Sequence, residues 1–397
     1  MLWSLGLVLI LGWLFGKLFE KINLPKLLAY LVLGICLGPN VFNLLSGELT
    51  HLAGEIRQIA LMIILIRAGL TLKFSDLIKV GRPAILMCFL PAICEILAIG
   101  LIGPYLLNIS YVDSFLLASV LAAVSPAVLV PRMVGLIDRG LGTKQAIPQM
   151  ILAGGTADDI LIFVLFAAFM QLAQGQGVSA STVLSAPISV VTGIFLGFLV
   201  GHSLSYFLNR YQWEGQQALI VSLAISFLVL GLESLLTDIL PYSGVLAVLV
   251  IFLIVQKKAP QRAVTLTASY QKIWQFAEIF LFVFLGVIVN PSLALEAGWP
   301  IVIIIVIGLI FRMLGVALSI LKTPFAKKER YFIMGAYLPK ATVQASLGGL
   351  PLMAGIASGS LVLIAATVSI LITAPLGAIF IDYFAPLWLE HEDTSVK

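Results

Sequence analysis

Apolar runs long enough to cross a lipid bilayer follow one another along almost the whole of this 397-residue sequence. A transmembrane helix needs ~20 predominantly apolar residues. Here 61% of the residues are hydrophobic and 11% are charged, whereas a soluble domain has roughly 45–50% apolar and about 25% charged residues. The composition therefore excludes a soluble protein and gives room for about 13 spans in one integral membrane unit.

Charged or Gly/Pro-rich stretches separate the apolar runs and define thirteen predicted spans. They lie near residues 2–15, 27–45, 57–72, 83–103, 114–135, 146–171, 184–208, 218–236, 242–256, 273–289, 299–321, 331–356 and 359–386. We therefore predict an all-α polytopic membrane protein with about 13 transmembrane helices. Of the 23 Lys and Arg residues, 19 follow odd-numbered spans and only Arg57 lies in an even connection. Because positive loops stay in the cytoplasm, we expect the N-terminus outside and the C-terminus in the cytoplasm, in a bacterial inner membrane.

Two predicted spans contain helix-breaking prolines at matching places in the two halves of the sequence. With 184–208 as a linker, the first six and last six spans begin on opposite sides, which is the arrangement of an inverted-topology repeat. Pro126 and Pro131 lie in the fifth span, and Pro339 lies in the twelfth. Proline removes an amide donor and distorts the preceding turn. A simple kink is the alternative for either segment alone, but matched breaks in both halves favour a transport site.

Five ionisable residues lie deep in the predicted spans, about 13–18 Å from the nearest boundary at ~1.5 Å per residue. They are Glu95, Asp158, Asp159, Arg312 and Lys340. Charges at this depth are costly unless paired and normally mark ion paths or proton relays. Three acids against two cations leave one acid for a bound cation or a proton. A purely structural network of two salt bridges and a protonated acid is the alternative.

The adjacent aspartates cannot share one site equally, because neighbouring side chains on a helix point about 100° apart. One can face a protein cation while the other faces the cavity. Thr156 and Ser125 are candidates for the further oxygen ligands that a hard cation prefers, although such hydroxyls more often bond to their own helix.

Several segments resemble the monovalent cation/proton antiporter superfamily, and most of all its NHA-type sodium/proton antiporter branch. They are ILIRAGL at 64–70, SPAVLVPRM at 125–133, GGTADDI at 154–160, FRMLG at 311–315 and LPKATVQASL at 338–347. The resemblance runs from about residue 25 to 385. It implies two crossing broken helices in a core domain of residues 83–171 and 299–386. That core would move in an elevator-like manner against a dimerisation domain of residues 1–72 and 218–289.

The resemblance also implies roles for individual residues: Asp159 binds Na⁺ or Li⁺, Asp158 is its companion, and Arg312 is the buried cation of span 11. From their similar depth we predict that Glu95 pairs with Arg312, which leaves Lys340 for Asp158. In this family, members with two adjacent aspartates often have Lys in span 11, whereas electroneutral relatives commonly combine Asn-Asp with Arg. This sequence combines Asp-Asp with Arg312, which leaves the transport stoichiometry open. Lys340 is the only one of the two cations that can release a proton.

The expected partners are monovalent cations, protons, membrane lipids and a second copy of the chain in a homodimer. No cofactor, nucleic acid or enzymatic activity is expected. A K⁺/H⁺ antiporter, a K⁺ efflux system and a sodium-coupled organic solute carrier are the alternatives, because related folds serve these tasks. An aspartyl protease is disfavoured, because its two acids must face each other across the substrate, which neighbours on one helix cannot do.

Overall fold

The computed structural model describes residues 1–22, 24–71, 81–174, 180–211, 213, 215–236 and 240–390. Within these ranges seventeen helices and no strands occur, which confirms the all-α prediction. The helices are α1 (Leu2–Lys21), α2 (Lys26–Leu37), α3 (Gly47–Thr71), α4 (Arg82–Met87), α5 (Leu90–Leu107), α6 (Tyr111–Leu121), α7 (Pro126–Asp138), α8 (Ile147–Gln174), α9 (Ala180–Tyr211), α10 (Gly215–Leu236), α11 (Gly244–Lys258), α12 (Pro260–Val287), α13 (Pro291–Ser319), α14 (Lys327–Ala336), α15 (Thr342–Leu347), α16 (Leu350–Met353) and α17 (Gly359–Trp388).

Each of the thirteen predicted spans contains at least one described helix. Eight helical stretches of the described chain are long and apolar enough to cross a membrane, and two shorter apolar helices lie at Lys26–Leu37 and Leu161–Gln174. The fifth and twelfth predicted spans are interrupted, as their prolines indicate. The fourth span is also interrupted, between α4 and α5, which the sequence analysis did not predict. Pro91 lies in the first turn of α5, where a missing amide hydrogen costs no helical bond.

The chain forms two compact units. The first takes its described residues from Met1–Gly54, Phe74–Ile162 and Leu281–Lys397. In it α13 packs closely along α5, because glycines on one face of α13 let the two backbones approach. A Cβ atom built at Gly315 would lie 2.6 Å from the Cα atom of Pro91, and one at Gly308 would lie 2.9 Å from Oε1 of Glu95. This close contact sets Arg312 of α13 against Glu95 of α5.

The second unit takes its described residues from Glu55–Lys73 and Phe163–Phe280. In it α9 packs closely against α11, and glycines recur every four residues along α9. Cβ atoms built at Gly193, Gly197 and Gly201 would lie 2.6–2.9 Å from backbone oxygens of α11 or the residue before it. This spacing places the glycines on one helical face, and small residues on such a face are typical of membrane helix pairs.

Candidate ion site

Two interrupted helices meet in the first unit and form the framework of the site. Between α6 and α7 the backbone is irregular at residues 122–125, and between α14 and α15 it is irregular at residues 337–341. The backbone N–H of Ser125 donates to the carbonyl oxygen of Pro339 at 2.8 Å. The hydroxyls of Ser125 and Thr342 lie 3.5 Å apart. The two breaks therefore contact each other directly, as the crossing-helix prediction requires.

Three consecutive carbonyl oxygens at the end of α6 accept hydrogen bonds from side chains instead of from the backbone N–H groups of a further helical turn. They belong to Leu121, Ala122 and Ala123. Lys340 Nζ donates to Leu121 O at 2.5 Å. Gln344 Nε2 donates to Leu121 O at 3.2 Å and to Ala123 O at 2.9 Å. Arg312 Nη1 donates to Ala122 O. Buried carbonyls without partners are costly at membrane depth, so these three side chains stabilise the irregular backbone of the first break.

Four buried charges form one connected network. Arg312 Nη1 lies 3.1 Å from Glu95 Oε2, and Arg312 Nη2 lies 2.5 Å from Asp158 Oδ2. Lys340 Nζ lies 2.6 Å from Glu95 Oε1. All four side chains are at most 1% exposed. Two carboxylates and two cations balance, so this part of the site has no net charge.

The predicted Glu95–Arg312 pair is present, but the predicted pairing of Lys340 with Asp158 is wrong. Lys340 instead contacts the second oxygen of Glu95, and Asp158 contacts Arg312. The prediction gave each charge a single partner. A carboxylate has two oxygens and a guanidinium has several donors, so Glu95 and Arg312 each serve two partners here.

Asp159 is the fifth charged residue, and it lies outside this balanced set. It is 4% exposed. Among the residues that the structure describes, no cation lies within ion-pair distance of Asp159. Its Oδ1 atom is buried without a hydrogen-bond partner there, and so is Oδ1 of Asp158. These two adjacent residues thus offer buried acceptor oxygens that a proton or a small cation could use.

The other predicted ligands differ in what the structure shows of them. Ser125 is fully buried, and its hydroxyl lies near Thr342. Thr156 belongs to α8, but its side chain lies outside the described part of the structure. Within the described ranges, no three His, Cys, Asp or Glu side chains gather as a metal-binding group.

The prolines have separate structural roles. Pro126 begins α7 and Pro339 lies in the second break, whereas Pro131 lies inside α7 and does not interrupt it. A proline cannot donate to the carbonyl four residues before it. The carbonyl of Ala122, four residues before Pro126, accepts from Arg312. The carbonyl of Gly335, four residues before Pro339, accepts from the N–H of Leu338 at 3.2 Å.

Two residues of the site were missed by the sequence analysis. Gln344 holds two carbonyls of the first break. Tyr337 supplies a carbonyl that accepts from Arg312 Nε at 3.0 Å, and its ring lies 5.6 Å from the guanidinium carbon. The sequence could have indicated Gln344, because a polar amide within a predicted membrane span needs hydrogen-bond partners as a charged residue does.

Broken helices that surround buried charges are typical of secondary transporters. The sequence profile of a family described as "Sodium/hydrogen exchanger, transmembrane" matches residues 6–384. The chain therefore belongs to the sodium/hydrogen exchanger family, within the monovalent cation/proton antiporter superfamily. Its members are integral membrane transporters and not enzymes.

Individual relatives agree with this assignment. The chain is 32% identical to sodium/hydrogen exchanger 9B2 of Homo sapiens over 403 residues, which cover 96% of this chain and 74% of the relative. It is 32% identical to sodium/hydrogen exchanger 9B1 of Mus musculus over 421 residues, covering 98% and 72% of the two chains. The structure of the sodium proton antiporter MjNhaP1 from Methanocaldococcus jannaschii at pH 8 superposes with a TM-score of 0.81, at 22% identity and 97% coverage of both chains. That likeness establishes the fold.

Proposed function

We propose that this antiporter exchanges Na⁺ or Li⁺ for H⁺ and that Asp159 is the carboxylate shared by the two ions. The observation that carries the proposal is the pairing of the other four charges. Glu95 pairs with both Arg312 and Lys340, and Asp158 pairs with Arg312. Asp159 is therefore the acid left to be neutralised by the transported ion. A buried carboxylate is strongly destabilised when ionised and alone. It therefore binds either a proton or a cation, and competition between them gives exchange.

Alternating access follows from an elevator-like motion in this proposal. Residues 83–171 and 299–386 form the moving core, residues 1–72 and 218–289 form the dimerisation domain, and 184–208 form the linker. The support is the family membership, together with the contact between the breaks at Ser125 and Pro339. Such a contact joins the two halves of an inverted repeat around the ion site.

The decisive experiment measures proton movement in liposomes that contain the purified protein, after pulses of NaCl, LiCl, KCl or choline chloride. Asp159→Asn should abolish the pH change that Na⁺ and Li⁺ cause, because an amide cannot exchange a proton for a cation. Glu233→Gln is the matched control, since Glu233 is a half-buried carboxylate in α10 of the second unit. It should keep the exchange.

Cation-dependent proton movement in Asp159→Asn would remove Asp159 from the carrier role. A wild-type response to KCl that equals the response to NaCl would favour the K⁺/H⁺ alternative.

The proposed orientation places the C-terminus in the cytoplasm of a bacterial inner membrane, on the basis of the Lys and Arg distribution. Single cysteines at Lys258 and Lys328, in a background without the native cysteines, should react with a membrane-impermeant thiol reagent only after the cells are opened. Both positions are exposed in the structure. Labelling of either cysteine in intact cells would reverse the orientation.

A further inference from the structure

Gln344 is a fully buried amide whose orientation is fixed by two carbonyl acceptors. Its Nε2 atom donates to Leu121 O and to Ala123 O, at 3.2 and 2.9 Å. An amide nitrogen has two hydrogens, so both are used. Among the described residues, Oε1 of Gln344 is buried without a hydrogen-bond partner. The side chain cannot flip without placing this oxygen against two carbonyl oxygens.

The second of these carbonyls connects Gln344 to the ion site through one peptide unit. The carbonyl oxygen of Ala123 and the N–H of Val124 belong to the same planar group. Gln344 holds the oxygen end of this peptide, and the N–H end donates to Asp158 Oδ2 at 3.3 Å. Because the peptide is rigid, a rotation that breaks one of these bonds also weakens the other.

The Ala123–Val124 peptide is hydrogen-bonded to Asp158, the residue next to Asp159 in the sequence. Asp158 Oδ2 accepts from both Val124 N and Arg312 Nη2, which fixes the carboxylate and leaves its Oδ1 atom without a described partner. We propose that Gln344 is a positioning residue for the cation site, because it orients the Ala123–Val124 peptide and thereby Asp158. This inference rests on the proposed function.

A neutral hydrogen-bond donor suits this positioning role, since its charge stays at zero while the site exchanges a proton for a cation. The two other side chains that hold the first break, Arg312 and Lys340, both pair with Glu95 and so belong to the charged network. Gln344 makes no ion pair, so its hold on Ala123 does not depend on whether Asp159 carries a proton or a cation.

The test compares the Na⁺ dependence of exchange in wild type, Gln344→Met and Ser346→Ala. Methionine matches glutamine in length but donates no hydrogen bond. Ser346 is a buried polar residue on the same helix, and its hydroxyl donates to Thr342 O at 2.6 Å. Removal of its hydroxyl costs a buried hydrogen bond without affecting the first break. Gln344→Leu is a second variant, and its side chain also lacks donors.

Loss of a group that orients an ion ligand typically costs 10–100-fold in affinity. Gln344→Met should therefore raise the apparent KM for Na⁺ at least ~10-fold, with a smaller change in maximal rate, and should reduce the Na⁺-dependent increase in the thermal midpoint. Gln344→Leu should also raise the KM, while Ser346→Ala keeps the wild-type KM.

A wild-type KM in either folded Gln344 variant would overturn the inference. Failure of both Gln344 variants to fold, with Ser346→Ala folded, would also overturn it in favour of a role in folding alone. The absence of Na⁺-driven proton movement in the wild-type protein would instead reject the proposed function, so the two failures are distinguishable.

Discussion

The two helix breaks differ in the chemistry that they contribute to the site. The break at residues 122–125 mainly presents backbone acceptors, since three carbonyls before or within it accept from side chains. The second break, at residues 337–341, contributes a charged donor in Lys340, and Gln344 follows it in α15. Inverted repeats make the two segments similar in fold. Their side chains make them complementary rather than equivalent, so one break stabilises the other.

The largest expected effect comes from removing the acid that joins both cations of this arrangement. Glu95→Gln leaves Arg312 with one carboxylate partner, Asp158. Among the described residues it leaves Lys340 without an ion-pair partner. Breaking a buried ion pair from one side costs about 3–5 kcal/mol. We expect a clear fall in the thermal midpoint of the detergent-purified protein.

The matched control restores the charge balance. Glu95→Gln combined with Lys340→Met should recover part of the lost midpoint, because the unpaired ammonium is gone and Leu121 O still accepts from Gln344. A double variant that is less stable than Glu95→Gln by the full cost of Lys340→Met alone would show that Glu95 and Lys340 are not coupled.

A smaller loss is expected from Asp158→Asn, which removes one of the two carboxylates on Arg312. Arg312 keeps Glu95, and the amide oxygen of asparagine can still accept from Val124 N. Hydrogen bonds to charged groups contribute about 1.5–3 kcal/mol, so the free energy of unfolding should fall by about that amount.

Asp159→Asn, at the adjacent residue, provides the comparison for Asp158→Asn. Asp159→Asn should lower the midpoint less than Asp158→Asn, because no described cation pairs with Asp159. An equal or larger loss in Asp159→Asn would mean that Asp159 has a structural partner and is not reserved for cargo.

How much of this could be predicted from the sequence depends on the kind of residue. The broken segments at Pro126 and Pro339 were predictable because proline has a fixed backbone effect. The buried charges were predictable because charges in apolar spans are rare and costly.

The pairing within the network was not predictable to the same extent. Sequence position gives the depth of a residue along a helix, but not the direction in which its side chain meets other helices. Glu95 and Arg312 lie at similar depth and do pair, whereas Lys340 turns to Glu95 instead of Asp158. Gln344 escaped notice because a neutral amide adds nothing to a charge count.

The smallest effect should come from the hydroxyl contact between the two breaks. Ser125→Ala removes a 3.5 Å contact with Thr342 but keeps the backbone bond from Ser125 to Pro339 O. A net loss below about 1 kcal/mol is expected for such a weak hydrogen bond. Thr342→Val, which removes the other hydroxyl, should match it in a thermal unfolding measurement. A loss as large as that of Asp158→Asn would show that Ser125 Oγ has a further partner of its own.

The guanidinium of Arg312 has a mechanical consequence for the protein. It is planar and rigid, and its nitrogens bind Glu95 in α5, Ala122 in the first break, Asp158 in α8 and the Tyr337 carbonyl after α14. If any of these four segments separated from α13, the guanidinium of Arg312 would lose a hydrogen-bond partner while it remained charged. In the elevator-like motion that we propose, these segments would travel with α13 as one rigid body, and access to Asp159 would change through displacement of the whole group.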